Sequence, residues 1–436
     1  MLADSSTDVT GETVQAYVTE IARQSTRRGE PRSFASIRDF AQELGLQRVA
    51  GKQVVVGGTN GKGSTVAYLQ QILSHQGLRV GATTSPHLHD YLERISFDGN
   101  PIDATSCLEA VRTIADVADG IQLTYFDLTT LAALHAFKLS EVDIALVEVG
   151  LGGRLDCANV VESDVAVITN VDIDHSAVLG DSIDEISREK VRIAREGRPL
   201  VFGDDRYNRA VVDYAQSHGI PLYQRCREFG TMDNTSLYIS HEQRRRQFLI
   251  PSSINYGLES FCTGLQVTSL LDHLPSQSVL SSIEFSRLGG RFERIDALDR
   301  EFILDIAHNP AATTYLRQHL ARQGILECVV VFACFADKEF GAMLENLVAP
   351  LECSGAKVLE IVFTASHGSR ALRATTVHDE IPQLECPAQF VQQLESAWKI
   401  ASKLATRDVP IVVLGSFDVV SRSRKVLNLH VTEPSS

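Results

Sequence analysis

Gly57-Gly58-Thr59-Asn60-Gly61-Lys62-Gly63-Ser64 follows the apolar run Val54-Val55-Val56 and precedes a helical pattern reaching about His75. A strand that runs into a glycine loop and then a helix decides the fold. Glycines let backbone N–H groups turn inward around phosphate oxygens. The helix N-terminus adds positive dipole at the same point. Lys62 can reach outer phosphates, and a hydroxyl can approach a magnesium shell. The spacing departs from G-x-x-x-x-G-K-[ST], because Gly63 separates Lys62 from Ser64. The loop is read as an ATP site; a glycine-rich turn without a ligand is the alternative.

Around this loop, β-rich apolar runs alternate with helical patterns. Arg79 to Thr83, Asp143 to Val149 and Val165 to Thr169 read as strands, and Ser182 to Glu196 as a charged helix. Such alternation argues for a parallel sheet with helices on both faces. From about Ile220 to residue 252 the chain reads as a small β insertion. A second α/β rhythm follows Leu288-Gly289-Gly290-Arg291: strands at Phe302 to Ile306, Cys328 to Phe332, Leu359 to Thr364 and Ile411 to Leu414, and helices from Pro310, over Glu339 to Val348 and over Gln392 to Leu404. The expected organisation is an ATP-binding domain over 1–290 and a smaller, Rossmann-like α/β domain over 291–436.

The 436 residues carry a net charge of −14, from 41 basic and 55 acidic side chains. The densest basic patch, Arg244-Arg245-Arg246, lies in a polar stretch that reads as a solvated hairpin. Nucleic acid is not the expected partner. The eight cysteines, Cys353 among them, form no CxxC pair or zinc-like spacing, which fits a reducing compartment. Met1 to Glu12 is polar and acidic, no signal peptide is expected, and no apolar run approaches the ~18 residues of a membrane span. The expectation is a cytoplasmic protein.

The segment TNGKGS over 59–64 resembles the nucleotide loop of the Mur-ligase superfamily, and most of all its folylpolyglutamate synthase branch. Further matches follow in order: Ser85-Pro86-His87-Leu88, Val147 to Asp156 (VEVGLGGRLD), Asp174-His175, Leu179-Gly180, Arg188-Glu189-Lys190, Gly290-Arg291-Phe292, Asp305 to Pro310 (DIAHNP), Asp337-Lys338 and Gly415-Ser416-Phe417. The resemblance implies a Mur-ligase fold and an ATP-dependent amide ligase. Such an enzyme adds L-glutamate to dihydropteroate and to the γ-carboxylate of reduced folates, through an acyl phosphate. Alternatives are a protein with only one of these activities and a nucleotide-binding homologue without catalysis. The segment EVGLGGRLD argues against cell-wall ligases. The implied cofactors are ATP and two magnesium ions, with a monovalent cation as a further candidate; the partners are small molecules and the chain is expected to be a monomer.

The resemblance also implies roles. Thr59, Asn60, Gly61, Lys62, Gly63 and Ser64 bind ATP, with Arg291 meeting the γ-phosphate and Asp305 the ribose. Ser85, Glu148 and His175 ligate magnesium; Glu148 ends a buried strand at the sheet edge where ligands of open α/β sheets bind. A carboxylate satisfied by Arg154 is the other reading of Glu148. Lys190 is carbamylated in this family and Lys62, Lys190 and His308 serve catalysis; an ordinary surface lysine is the plain reading of Lys190. For Asp305 the plain reading is a cap for the helix from Pro310. Thr124-Tyr125-Phe126-Asp127 and Leu155-Asp156-Cys157 take the dihydropteroate, the rings stacking and Asp127 accepting from ring nitrogens; a loop whose aromatics fill a core is the alternative. Two departures stand out. The family's GLERV-like segment is Ala35-Ser36-Ile37-Arg38-Asp39 here, with Arg38 as the match, and an adenine-contacting asparagine is missing around Glu259-Ser260-Phe261-Cys262.

Overall fold

The computed structural model describes residues 9–28, 32–118, 120–254, 256–286, 288–297, 299–349, 356–368, 371–372, 376–377, 384 and 386–427. Cys353 and most of the acidic N-terminal segment lie outside the described residues; the seven described cysteines are unpaired. Contacts divide the chain into two compact units, Met1–Asp172 with Leu179–Ser286, and Ile173–Val178 with Arg287–Ser436. Among the described residues no helix is long and apolar enough to cross a membrane.

The first unit is built on an eight-stranded sheet. Its strands are β1 (Lys52–Gly57), β2 (Val80–Thr83), β3 (Ile95–Phe97), β4 (Asn100–Pro101), β5 (Ile144–Glu148), β6 (Val165–Ile168), β7 (Leu200–Phe202) and β8 (Leu222–Gln224), in the spatial order β4-β3-β2-β5-β1-β6-β7-β8. From β2 through β8 neighbours run parallel, and only the β2-β3-β4 edge is antiparallel. The runs Val54-Val55-Val56 and Ile144 to Val147 are fully buried because helices cover both faces of a parallel sheet. β1 sits between β5 and β6, with Val56 opposite Glu148 and Gly57 opposite Ile168. The chain after β1 therefore leaves the sheet flanked by the ends of two neighbouring strands.

The β insertion is a three-stranded antiparallel sheet of β9 (Gly230–Thr231), β10 (Ser236–His241) and β11 (Arg244–Leu249). Leu237, Ile239 and Phe248 turn inward and join the core formed by the helices Lys62–His75 and Leu258–Leu270, while Arg244, Arg245 and Arg246 stay exposed. The burial is uneven between the strands: Leu237, Tyr238 and Ile239 of β10 are all buried, while β11 is exposed except at Phe248.

The second unit has a six-stranded sheet of β12 (Glu293–Ala297), β13 (Arg300–Leu304), β14 (Glu327–Phe332), β15 (Lys357–Phe363), β16 (Ala388–Phe390) and β17 (Ile411–Leu414), ordered β12-β13-β17-β14-β15-β16. Only the β12-β13 hairpin is antiparallel. The expected helix from Pro310 is present over Pro310–Arg322, and its N-cap is Asn309, whose side chain accepts from Ala312 N. Two largely parallel sheets alternating with helices are the α/β class expected from sequence.

Candidate active site

The loop after β1 owes its shape to two glycines. Gly61, just before the helix Lys62–His75, has φ 81° and ψ 0°, a left-handed conformation that costs other residues energy. Gly58 has φ 138°, and a Cβ there would lie 1.9 Å from Thr169 Oγ1. The Thr169 hydroxyl occupies that space because it donates to Asn60 O at 2.6 Å. Thr59 Oγ1 accepts from Asp172 N at 3.0 Å, and Asn60 N donates to the Asn170 side chain at 2.8 Å. Ser260 Oγ donates to Gly61 O at 3.3 Å. The loop is thus held open from outside, with its helix-facing amides at the end of an apolar strand. Lys62 Nζ folds back onto Gly58 O and Thr59 O, at 3.1 and 3.2 Å, where a phosphate would compete with two neutral carbonyls.

Glu148 ends β5, 4 % exposed, and its Oε2 accepts from Ser85 N at 3.1 Å. The same oxygen is 3.5 Å from where a Cβ on Gly63 would stand. Three segments far apart in sequence therefore meet at the loop. The alternative partner for Glu148 is engaged elsewhere: Arg154 Nε donates to Glu189, at 3.0 and 3.1 Å. Among the described residues no three His, Cys, Asp or Glu side chains form a cage for a metal. A carboxylate beside a phosphate loop suits magnesium, which uses one or two protein carboxylates and completes its shell with phosphate oxygens and water.

Lys190 is 4 % exposed and donates to Gly58 O at 3.1 Å. It is not a surface lysine. Its helix, expected to reach Glu196, stops at Lys190 and passes into a 3₁₀ turn. The reason is packing. Arg154 N donates to Glu189 O at 3.0 Å, and a Cβ on Gly153 would come within 2.9 Å of that carbonyl and 3.0 Å of Lys190 O. The GLGGR segment thereby docks on the helix end and aims Lys190 at the loop.

Thr124 and Asp127 form a capping box at the start of the helix Tyr125–Leu139. Asp127 has no exposed surface; it accepts from Thr124 N and Oγ1, at 2.9 and 2.7 Å, and from Arg32 Nε and Nη2, at 2.8 and 2.9 Å. Arg32 Nη2 also donates to Leu155 O at 3.1 Å. Arg38, the residue matched in sequence, is instead exposed beside Asp39. Phe126 packs over Gly150, where a Cβ would lie 2.7 Å from its ring. The Tyr125 ring has the Arg94 guanidinium 5.2 Å from its centroid, and its buried hydroxyl has no hydrogen-bond partner among the described residues. Arg94 in turn donates to His87 Nδ1 at 2.8 Å. Burial pushes the Asp156 carboxyl up to about 6, against the N–H groups of Leu151 and Ala158 that it accepts from. Burial also pushes the Cys157 thiol well above its ordinary range. Leu155 is half exposed.

In the second unit, Asp305 follows β13. The cap of the Pro310–Arg322 helix is Asn309 and not Asp305, whose oxygens accept from Phe292 N at 2.8 Å and Ala307 N at 2.9 Å. These bonds pin the Gly290-Arg291-Phe292 turn, and the Arg291 guanidinium lies 5.6 Å from the Phe417 ring centroid. His308 approaches the same ring at 5.9 Å between centroids, and its Nδ1 donates to Ile306 O at 2.8 Å, leaving Nε2 the acceptor. Burial, then the Lys338 cation, push His308 down to about 4, so it is neutral at pH 7. Asp174 is the centre of the group, with Lys338 Nζ at 2.8 Å, Asn309 Nδ2 at 3.2 Å, and His175 and His308 Nε2 at 3.8 and 3.9 Å. Burial would raise this carboxyl, but Lys338 and the two histidines hold it at about 2. His175 itself is exposed and left-handed, with φ 56°.

Sequence reading had no role for Arg32, Thr169, Ser260 or Lys338. Thr169 stood at a strand end, where a signal existed. Arg32 had none, being a polar residue beside a loop, while Ser260 and Lys338 stood in segments that the resemblance had marked without giving either side chain a role.

The chain matches two family models, the Mur ligase middle domain over residues 56–264 and the Mur ligase glutamate ligase domain over 290–417. It is 32% identical over 333 residues to the dihydrofolate synthase/folylpolyglutamate synthase of Haemophilus influenzae, covering 71% of this chain and 75% of that protein. It is 29% identical over 393 residues to the protein of the same name from Escherichia coli, covering 89% of each. Among solved structures it resembles the bifunctional folylpolyglutamate synthase/dihydrofolate synthase of Yersinia pestis complexed with AMPPNP and Mn ion, with TM-score 0.85, 29% identity, and 98% of this chain and 100% of that chain covered. It also resembles Escherichia coli FolC in complex with DHPP and ADP, with TM-score 0.84, 26% identity, and 98% and 99% covered.

Proposed function

The chain belongs to the Mur ligase family, and from that premise we propose that it joins L-glutamate to dihydropteroate and to the γ-carboxylate of reduced folates at the expense of ATP. The observation that carries this reading is the meeting of Glu148, Ser85 and Gly63 at a glycine loop held by Gly61. It is the arrangement needed to hold a nucleoside triphosphate at its outer phosphates.

The acceptor carboxylate attacks the γ-phosphorus, ADP leaves, and the amine of glutamate then displaces phosphate from the acyl phosphate. Catalysis must neutralise phosphate charge, align the reactants and keep water from the acyl phosphate. Backbone amides of the loop and the Lys62 ammonium receive phosphate oxygens. Glu148, Ser85 and, by family likeness, His175 would hold magnesium, which when bound supplies positive charge to the phosphates. Carbamylation of Lys190 would exchange its cation beside Gly58 for a carboxylate able to serve a second ion. Arg291 answers the γ-phosphate and Asp305 the ribose. Neutral His308 keeps an Nε2 lone pair that can take the proton released as the amine attacks. Thr124 to Asp127 and Leu155 to Cys157 receive the acceptor. We extend the reading to a cytoplasmic monomer without nucleic-acid or membrane partners, and to a monovalent cation beside the two magnesium ions.

The test is ADP release by the purified protein with ATP, magnesium and glutamate, with dihydropteroate or a tetrahydrofolate as acceptor. Turnover with both is the expected result. Turnover with one alone would make the protein monofunctional, and turnover with neither would overturn the proposal.

A further inference from the structure

Arg32 is tied to every segment assigned to the acceptor. Its backbone N–H donates to Gln122 Oε1 at 2.7 Å. Its Nε and Nη2 form a fork on Asp127, which has no exposed surface, and Nη2 donates again to Leu155 O at 3.1 Å. One side chain thus joins the start of the Tyr125–Leu139 helix to the 155–157 turn, and does so from the loop before the helix Phe34–Glu43.

Two consequences follow from guanidinium geometry. The group is planar, and its five N–H bonds point in fixed directions. The Nε and Nη2 hydrogens on one edge are used by Asp127. On the terminal edge, the second Nη2 hydrogen goes to Leu155 O, and one Nη1 hydrogen points alongside it. No described residue accepts from Nη1, and the arginine side chain is 29 % exposed. An open, charged donor therefore emerges next to the half-exposed Leu155. The Asp127 carboxylate, in contrast, already receives four hydrogen bonds, two from Arg32 and two from Thr124. It has little capacity left for ring nitrogens of a ligand.

We propose that Arg32, in place of Asp127, is the acceptor-binding polar group of this pocket: its Nη1 donates to an oxygen or nitrogen lone pair of the pteroate or folate, while Asp127 and Leu155 O hold the guanidinium in place. The inference rests on the reading that residues 124–127 and 155–157 take the acceptor. It reverses the hydrogen-bond polarity that the sequence suggested, so the ligand presents an acceptor here and not a donor.

The test is steady-state kinetics of Arg32→Ala, Arg32→Lys and Phe126→Ala beside the unaltered protein, with KM measured separately for dihydropteroate, a tetrahydrofolate, ATP and glutamate. Lysine keeps the charge opposite Asp127 but lacks the fork. Arg32→Lys should keep its melting temperature within a few degrees yet raise the acceptor KM on the order of tenfold, the worth of one charged hydrogen bond, with KM for ATP and glutamate unchanged. Arg32→Ala should show the same selectivity; if it fails to fold, Arg32→Lys decides. An acceptor KM left unchanged by Arg32→Lys while Phe126→Ala raises it would overturn the role of Arg32 and leave the pocket standing. No change in either variant would overturn the pocket itself, and this inference with it.

Discussion

Lys338 Nζ lies 2.8 Å from Asp174 Oδ1, and both side chains are about nine-tenths buried. The two residues are 164 positions apart, yet the short segment Ile173–Val178 packs with the C-terminal unit and not with the sequence around it. The pair organises that unit's candidate site, since Asn309, His175 and His308 all gather on the same carboxylate. Removing one partner of a buried ion pair strands the other charge. Lys338→Met should therefore destabilise the protein by roughly 3 kcal/mol, read from urea unfolding. Asp174→Asn combined with Lys338→Met should recover part of that loss. Additive losses in the double variant would show that the pair is not coupled.

Lys62 and Glu148 separate phosphate binding from metal binding. Among the described residues Lys62 Nζ bonds to carbonyls of its own loop, so Lys62→Ala should keep the fold and lose ATP turnover by a factor on the order of a thousand. Glu148→Ala should raise the magnesium concentration needed for half-maximal rate, and so should His175→Ala if it is a ligand. Magnesium titrations of the rate make the comparison; unchanged curves for both variants would remove the metal role.

Lys190→Ala should abolish turnover, and short carboxylic acids should restore part of it if the working group is a carbamate at the position of the amine beside Gly58. Bicarbonate should raise the rate of the unaltered enzyme after decarbonation. Intact-mass measurement under native conditions reads the added carboxyl directly.

Arg291 lies against Phe417 in a turn locked by Asp305. If its charge acts on the transferring phosphoryl group, Arg291→Ala should lower kcat by roughly two orders of magnitude with KM for ATP changed only a few-fold. The opposite split, a high KM with kcat retained, would make it a ground-state binding residue.

Two half-buried histidines, His308 and His87, set the acid limb of stability. Burial and Lys338 push His308 down to about 4, and burial and Arg94 push His87 to the same value. Above pH ~6.5 both are neutral in folded and unfolded chains, so their contribution is unchanged there. As pH falls from ~6.5 towards 4 the unfolded chain takes up protons first, and each histidine withdraws up to about 3 kcal/mol of stability. Below about 4 the loss levels off. Urea unfolding across pH 7.5 to 4.5 should show this fall, and His308→Gln and His87→Gln should each flatten it.

Much of the molecule was legible along the chain. Alternating apolar runs located β1, β5, β6, β14 and β17 because a buried parallel strand needs a continuous apolar segment. The glycine loop was legible because Gly58 and Gly61 do a local backbone task, and the start of the Pro310–Arg322 helix because capping is decided within four residues. What depended on pairing across long separations was not. Nothing in the sequence says that Arg32, and not Arg38, meets Asp127 95 residues away. Both are arginines near the same helix, and only the path of the loop before Phe34–Glu43 chooses between them. The end of the helix at Lys190 was set by the backbone of Gly153 and Arg154 against its last carbonyls, which overrode the helical pattern up to Glu196. Sequence order placed Asp174 beside the phosphate-loop residues, while packing gave it to Lys338. Local periodicity and turn chemistry are written in neighbouring residues. The choice of charge partner is not, because a desolvated carboxylate is stabilised by whichever cation the assembled fold brings within about 3 Å.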